Sequence, residues 1–275
     1  VVKTTEVVKT ARSKHSLSLL NTVILGKALT ATMLLASELK GEERIQLRMD
    51  GNGPIGFLVA EANQVGEIRG YVKNPAAELD YTDPDTQLGD GIGLGVLTFS
   101  KVLYNEAEPR SSTIQIVNGD VTSDVAHYLA QSEQIPSALL VDVGIDEDGN
   151  VTEAGGLLIQ RLPDAPDGQI DLLQERLSSF PAIDELLSDG QYIDEIMKKA
   201  VSPLKVKELN RQPVDFFCRC TRKRFKNALS MLTLDDLKDM EGEGQEVVCH
   251  YCNRREKISK DELEKIITDA QAKMN

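Results

Sequence analysis

All four cysteines of this 275-residue chain lie in two short stretches near its C-terminus, Cys218-Arg-Cys220 and Cys249-His-Tyr-Cys252. The pattern is C-x-C, then residues 221–248, then C-x-x-C. Close pairs of thiols serve three chemistries: a metal site, disulfides or a redox centre. A secreted disulfide framework fits poorly, because it would leave residues 1–217 without a single staple. Four thiolates complete a tetrahedral zinc shell with Zn–S near ~2.3 Å, closed to water and therefore structural. Two close pairs supply two ligands each, and the 221–248 loop needs one closure. The spacing thus predicts one zinc per chain held by Cys218, Cys220, Cys249 and Cys252. His250 lies inside the second pair, but four thiolates already fill the shell.

The first pair departs from an ordinary zinc ribbon, where C-x-x-C occurs twice; C-x-C is the tighter turn. Basic residues flank both pairs: Arg219, Arg222, Lys223, Arg224 and Lys226 at the first, Arg254, Arg255 and Lys257 at the second. Residues 218–260 carry ten basic and seven acidic side chains, a local +3 within a chain of formal charge −13. Cations beside thiols favour thiolate, which tightens metal binding and raises reactivity toward oxidants. They also offset the charge of a tetrathiolate centre.

The overall negative charge argues against non-specific binding to nucleic acid or anionic membranes. The most apolar stretch, 17–39, is interrupted by Asn21, Lys27 and Glu38, and is read as neither a membrane span nor a signal peptide. The chain starts at Val1, not at methionine, so residues ahead of Val1 are expected.

Periodicity sets out an α+β architecture. Leu17, Leu20, Ile24, Ala28, Ala31 and Leu35 share one helical face. Alternation then predicts strands over 44–50, 55–62 and 66–73, with further strands over 95–103, 112–118, 137–145 and 155–161 and a short helix over 122–132. A boundary is expected at Asp164-Ala-Pro-Asp-Gly168. Beyond it Pro181, Gly190 and Pro203 divide a helical pattern into short pieces. Residues 167–200 hold eight acidic and three basic side chains. Short acidic helices of this kind are marginal alone and need a surface to dock on. Ser259-Lys-Asp-Glu262 announces a last helix as a capping box. Three parts result: an α/β-sheet core over 1–163, a helical linker over 164–205 and a small zinc-binding domain over 206–275.

Gly51-Asn-Gly-Pro-Ile-Gly56 matches G-x-G-x-x-G, but a strand pattern follows it where a phosphate-binding helix should begin, so it is read as a turn. Gly89-Asp-Gly-Ile-Gly-Leu-Gly95 is read as a flexible connection. His15 and His127 have no partner in sequence, and no nucleophile–base pair stands out, so no catalytic residues and no enzymatic activity are expected.

The cysteine pattern, with the Gly51–Gly56 turn, Arg69-Gly-Tyr71, Tyr128-Leu-Ala-Gln-Ser-Glu-Gln134 and Ala154-Gly-Gly-Leu-Leu-Ile-Gln160, resembles the bacterial heat shock protein 33 family of redox-regulated holdase chaperones. The N-terminus departs from it, lacking the strand region expected before Val1. The resemblance implies a cytoplasmic, ATP-independent chaperone for unfolding proteins that acts as an oxidised homodimer. It implies that the reduced thiols hold zinc, and that oxidation pairs Cys218 with Cys220 and Cys249 with Cys252 and expels the metal. The small domain would then lose its organising centre, and the linker its dock. Two other classes fit the cysteines: a zinc-ribbon module for RNA or ribosomes, suggested by the basic flanks, and a thiol-disulfide oxidoreductase using Cys249-His-Tyr-Cys252.

Overall fold

The computed structural model describes residues 1–103, 108–163, 165–166, 168–240, 242 and 244–274. They divide into two compact units, Val1–Phe217 and Cys218–Asn275.

The first unit is organised around one buried helix. After β1 (Val2–Lys3) and α1 (Thr5–His15) comes α2 (Leu19–Ala36), started by Ser18, whose hydroxyl accepts the Asn21 N–H. Among the described residues α2 is the one helix long and apolar enough to cross a membrane. Here it is the centre of a core, packed against both sheets of the unit. The single apolar face read from the sequence is too narrow a description. Leu25, Leu29, Thr32 and Ala36 are as buried as Ile24 and Ala28, as a helix apolar all round should be. Its threonines avoid a penalty by bonding backward, Thr22 to the Ser18 carbonyl at 2.7 Å and Thr32 to that of Ala28 at 2.6 Å.

Strands β2 (Arg44–Gly51), β3 (Phe57–Asn63) and β4 (Glu67–Val72) form an antiparallel meander, joined by β5 (Gly95–Val102) and β6 (Arg110–Gln115). Ile45, Leu47 and Met49 face the core in strict alternation with Arg44, Gln46 and Arg48. The Gly51–Gly56 segment is the turn expected, closed by Gly51 N–H to the Gly56 carbonyl at 2.8 Å. Residues 89–95, expected to be flexible, are instead packed into it: Gly53 N–H donates to the Ile92 carbonyl at 2.8 Å and Ile55 N–H to that of Gly91 at 3.1 Å. The glycines permit this close approach, since a Cβ on Gly53 would stand 2.4 Å from the Asp90 carbonyl oxygen.

Helix α3 (Val121–Tyr128) runs on as a π-turn over Leu129–Glu133. Strands β7 (Ser137–Ile145) and β8 (Val151–Gln160) follow, and with β1 make a second, three-stranded antiparallel sheet. Helices α4 (Gln169–Ser178), α5 (Ile183–Ser188) and α6 (Ile193–Val201) match the predicted acidic series. The surface they need is this second sheet: Leu177, Ile183, Leu186, Leu187, Ile196 and Ala200 form one apolar cluster with Leu157 of β8. Asp164 and Asp167, part of the expected boundary, lie outside the described residues.

The C-terminal compact unit starts at Cys218, later than the expected 206. The reason is β9 (Asp215–Phe216), which pairs in parallel with β4 at the edge of the six-stranded sheet. Asp215 N–H donates to the Gly66 carbonyl at 3.0 Å and Phe217 N–H to that of Ile68 at 2.9 Å, fastening the chain to the first unit just before the cysteines.

Candidate metal centre

In the second unit α7 (Arg222–Leu229) and α8 (Leu234–Asp239) precede the hairpin β10 (Gln245–Val248) and β11 (Arg255–Ile258), and α9 (Lys260–Met274) closes the chain. Its apolar core is small: Leu229, Leu237, Ile258, Leu263, Ile266 and Ile267. So small a core supplies little stability without a staple.

Cys249 and Cys252 sit in the tight turn of the hairpin. Cys249 N–H donates to the Arg254 carbonyl at 2.9 Å, and Asn253, in the left-handed conformation at φ 55°, returns its N–H to the Cys249 carbonyl at 2.8 Å. Cys218 and Cys220 lie between the end of β9 and Thr221, the N-cap of α7. The four Sγ atoms lie within 4.8 Å of one another. Cys218 and Cys249 are 3.7 Å apart and Cys220 and Cys252 3.3 Å. All four are thiols. Corners of a tetrahedral tetrathiolate zinc shell would be about 3.8 Å apart, given its bond length. The cluster has the size of that shell.

Its electrostatics ask for a cation. Burial, the thiol contact with Cys252 and the charges of Cys218 and Cys252 push Cys220 up to about 11. The hydrogen bond shared with Cys218, followed by burial, raises Cys249. Four sulfurs this close repel one another as thiolates, and a bound divalent metal is what lets all ionise together. His250 is not among the clustered ligand atoms.

The basic flanks do more than serve the thiols, whose charges Arg254 still feels at Cys220 and Cys252. Arg222 pairs with Glu256 at 3.0 Å and Glu262 at 2.7 Å, Lys226 with Glu262 at 2.7 Å and Arg255 with Glu246 at 3.0 Å. These bonds tie α7 and the hairpin to the start of α9. Lys226, the Ser259 N–H and Arg222 draw Glu262 down to about 2. Arg254, then Arg222, holds Glu256 below its usual value. Arg222, Lys226, Arg254 and Arg255 of the basic surface suggested for RNA are thus engaged by carboxylates. The C-x-x-C of a thioredoxin-like centre would open a helix, whereas here it turns a β-hairpin. Sequence reasoning missed Glu262 as a cross-link; its place in the capping box was the visible sign. His15 stacks edge-on to Phe216 with ring centres 6.4 Å apart, and His127 is exposed in the last turn of α3.

These features define a class: an α+β protein with docked accessory helices and a separate C-terminal unit carrying a cluster of four thiols that could hold a metal. The Hsp33 protein family model matches residues 1–259. The 33 kDa chaperonin of Desulforamulus reducens is 34% identical over 275 residues, covering 98% of this chain and 93% of that protein. That of Synechococcus sp. strain JA-3-3Ab is 38% identical over 98% of this chain and 85% of that protein. The crystal structure of the 33 kDa chaperonin (Hsp33 homolog) from Thermotoga maritima superposes with a TM-score of 0.87 at 34% identity, over 96% of this chain and 91% of that one. The chain belongs to the Hsp33 family.

Proposed function

We propose that this chain is a redox-regulated holdase that protects unfolding proteins from aggregation without ATP or catalysis. Membership of the Hsp33 family supports the chaperone role, and the four-thiol cluster in a unit of small core carries the redox reading. Reduced Cys218, Cys220, Cys249 and Cys252 would hold one zinc and stabilise the second unit. Zinc-coupled folding is worth about 10–16 kcal/mol in small zinc peptides.

Oxidation pairs Cys218 with Cys220 and Cys249 with Cys252. Each pair of thiolates gives up two electrons, which with two protons from solvent reduce one peroxide to two waters. The ligand set is then gone, and zinc with it. The second unit loses its staple, while the preceding chain keeps its short β9 pairing with the first unit. Residues 164–205 form the redox-sensitive linker in this reading: α4–α6 undock from β7 and β8 and expose the apolar cluster around Leu186 and Ile196 to clients. The active form is a cytoplasmic homodimer by analogy with the family.

The test is light scattering of a thermally unfolding client. Peroxide-treated protein should suppress aggregation and the reduced zinc form should not; equal activity of the two forms refutes redox control.

A further inference from the structure

Helix α5 is six residues long and has no cap of its own, since Ala182 at the N-cap position offers no side-chain acceptor. The acceptor comes from the sheet beneath. Asp142 of β7 receives the Ile183 N–H on its Oδ2 at 2.8 Å. A helix this short does not persist alone in water. With its cap borrowed from β7, α5 is a helix only while it lies on the sheet.

The same carboxylate also opposes the dock. Asp184, half-buried, lies where α5 meets β7, its Oδ2 only 2.5 Å from the position a Cβ on Gly144 would take. Burial and the charge of Asp142, with a smaller push from Glu185, raise the Asp184 carboxyl above its usual range; the N–H groups of Asp184 and Glu185 pull it back only in part. Below this polar edge the seat is apolar. Ile183 and Leu187 press on Gly155 of β8, where a Cβ would stand 3.1 Å from Ile183 and 2.9 Å from Leu187.

We infer that Asp142 and Asp184 form a latch that sets how readily the linker leaves the core, Asp142 holding α5 by its N-terminus while the repulsion between the two carboxylates keeps that hold weak. Removing the acceptor at Asp142 and removing the charge at Asp184 therefore act in opposite directions. The consequence for chaperone activation rests on the linker reading above; the latch itself does not.

The experiment is hydrogen exchange at amides 183–188 in the reduced, zinc-loaded full chain, comparing Asp142→Ala, Asp142→Asn and Asp184→Asn. Loss of the cap in Asp142→Ala should speed exchange about five- to tenfold. Asp142→Asn keeps an acceptor oxygen and drops the charge, so exchange should stay at or below the wild-type rate. Asp184→Asn should slow it about two- to fivefold. Protection of β2 and β3 reports that each variant is folded. Equal loosening by Asp142→Ala and Asp142→Asn overturns the cap, and unchanged or faster exchange in Asp184→Asn overturns the repulsion. Aggregation suppression at graded peroxide then separates the two readings. Asp142→Ala should activate at lower oxidant and Asp184→Asn at higher. Exchange that shifts as expected while activity does not follow supports the latch and sinks the linker reading.

Discussion

At the scale of single residues, the convergence of the four thiols was legible because the spacing within each pair is a local property. Cys218, Cys220, Cys249 and Cys252 converge as their two short spacings demand. Cys249→Ser should therefore weaken zinc binding far more than His250→Ala, and a chelator competition assay giving equal losses would show the ligand set to be wrong. Glu262 is a second test. Its carboxylate, held at about 2 by Lys226, Ser259 and Arg222, lies below its unfolded value. Its contribution is present in full above about pH 4.5 and drains away as pH falls toward 2. Glu262→Gln should lower protection of the α9 amides at neutral pH, with the gap to wild type closing through that acidic window. A gap independent of pH would show that lost packing, not charge, is responsible. The carboxylate partners of the basic run, Glu246, Glu256 and Glu262, were invisible because they reach it only after the hairpin and α9 fold back. Asp142 was invisible for the same reason: the N–H it caps lies far along the chain, at Ile183.

Among the elements, those with a strong period were read within a few residues. The sheet strands β2–β4 and the acidic helices α4–α6 are examples, because burial on one face leaves its trace in sequence. Helix α1 was missed. Its buried residues Thr5, Val7, Val8 and Ala11 do fall at helical spacing, but one is polar and the pattern spans barely two turns. Strand β9 was missed because two residues carry no alternation. Its pairing is with β4, distant in sequence, and no local rule points there. The glycines at 89–95 were misread because freedom of the backbone and close approach of the backbone use the same residue. The docking of α4–α6 makes a prediction at this scale. Leu186 is almost fully buried in their cluster, and Leu186→Ala should cost about 2–5 kcal/mol of that packing. For helices marginal by themselves this is enough to undock them. Hydrogen exchange should show protection lost over 183–201 in the reduced protein, with β2–β4 unaffected. Full protection of α5 and α6 in the variant would mean that something other than this cluster holds them.

At the scale of the molecule, the contrast is between a first unit with a large apolar core and a small second unit whose four clustered thiols could hold a metal. The first unit is built on α2 and two sheets, with a contiguous buried cluster from Val2 to Val141. The second has six buried hydrophobic residues in its core and four thiols. In the proposed switch, exchange of zinc for two disulfides would fall almost wholly on the second unit, and the net charge of −13 would help keep a partly opened chain soluble. Removing the thiols should mimic oxidation if lost metal-organised structure is the trigger. A variant with Cys218, Cys220, Cys249 and Cys252 all changed to Ser has no zinc shell and forms no disulfide. Wild type, carefully reduced, should carry one zinc per chain; the variant should carry none. In aggregation assays without oxidant, the variant should be at least partly active and indifferent to peroxide or reductant, because the coupled equilibrium already lies toward the open state. An inactive variant beside a wild type that acts only through reducible disulfides would place the sulfurs in direct chemistry with the client.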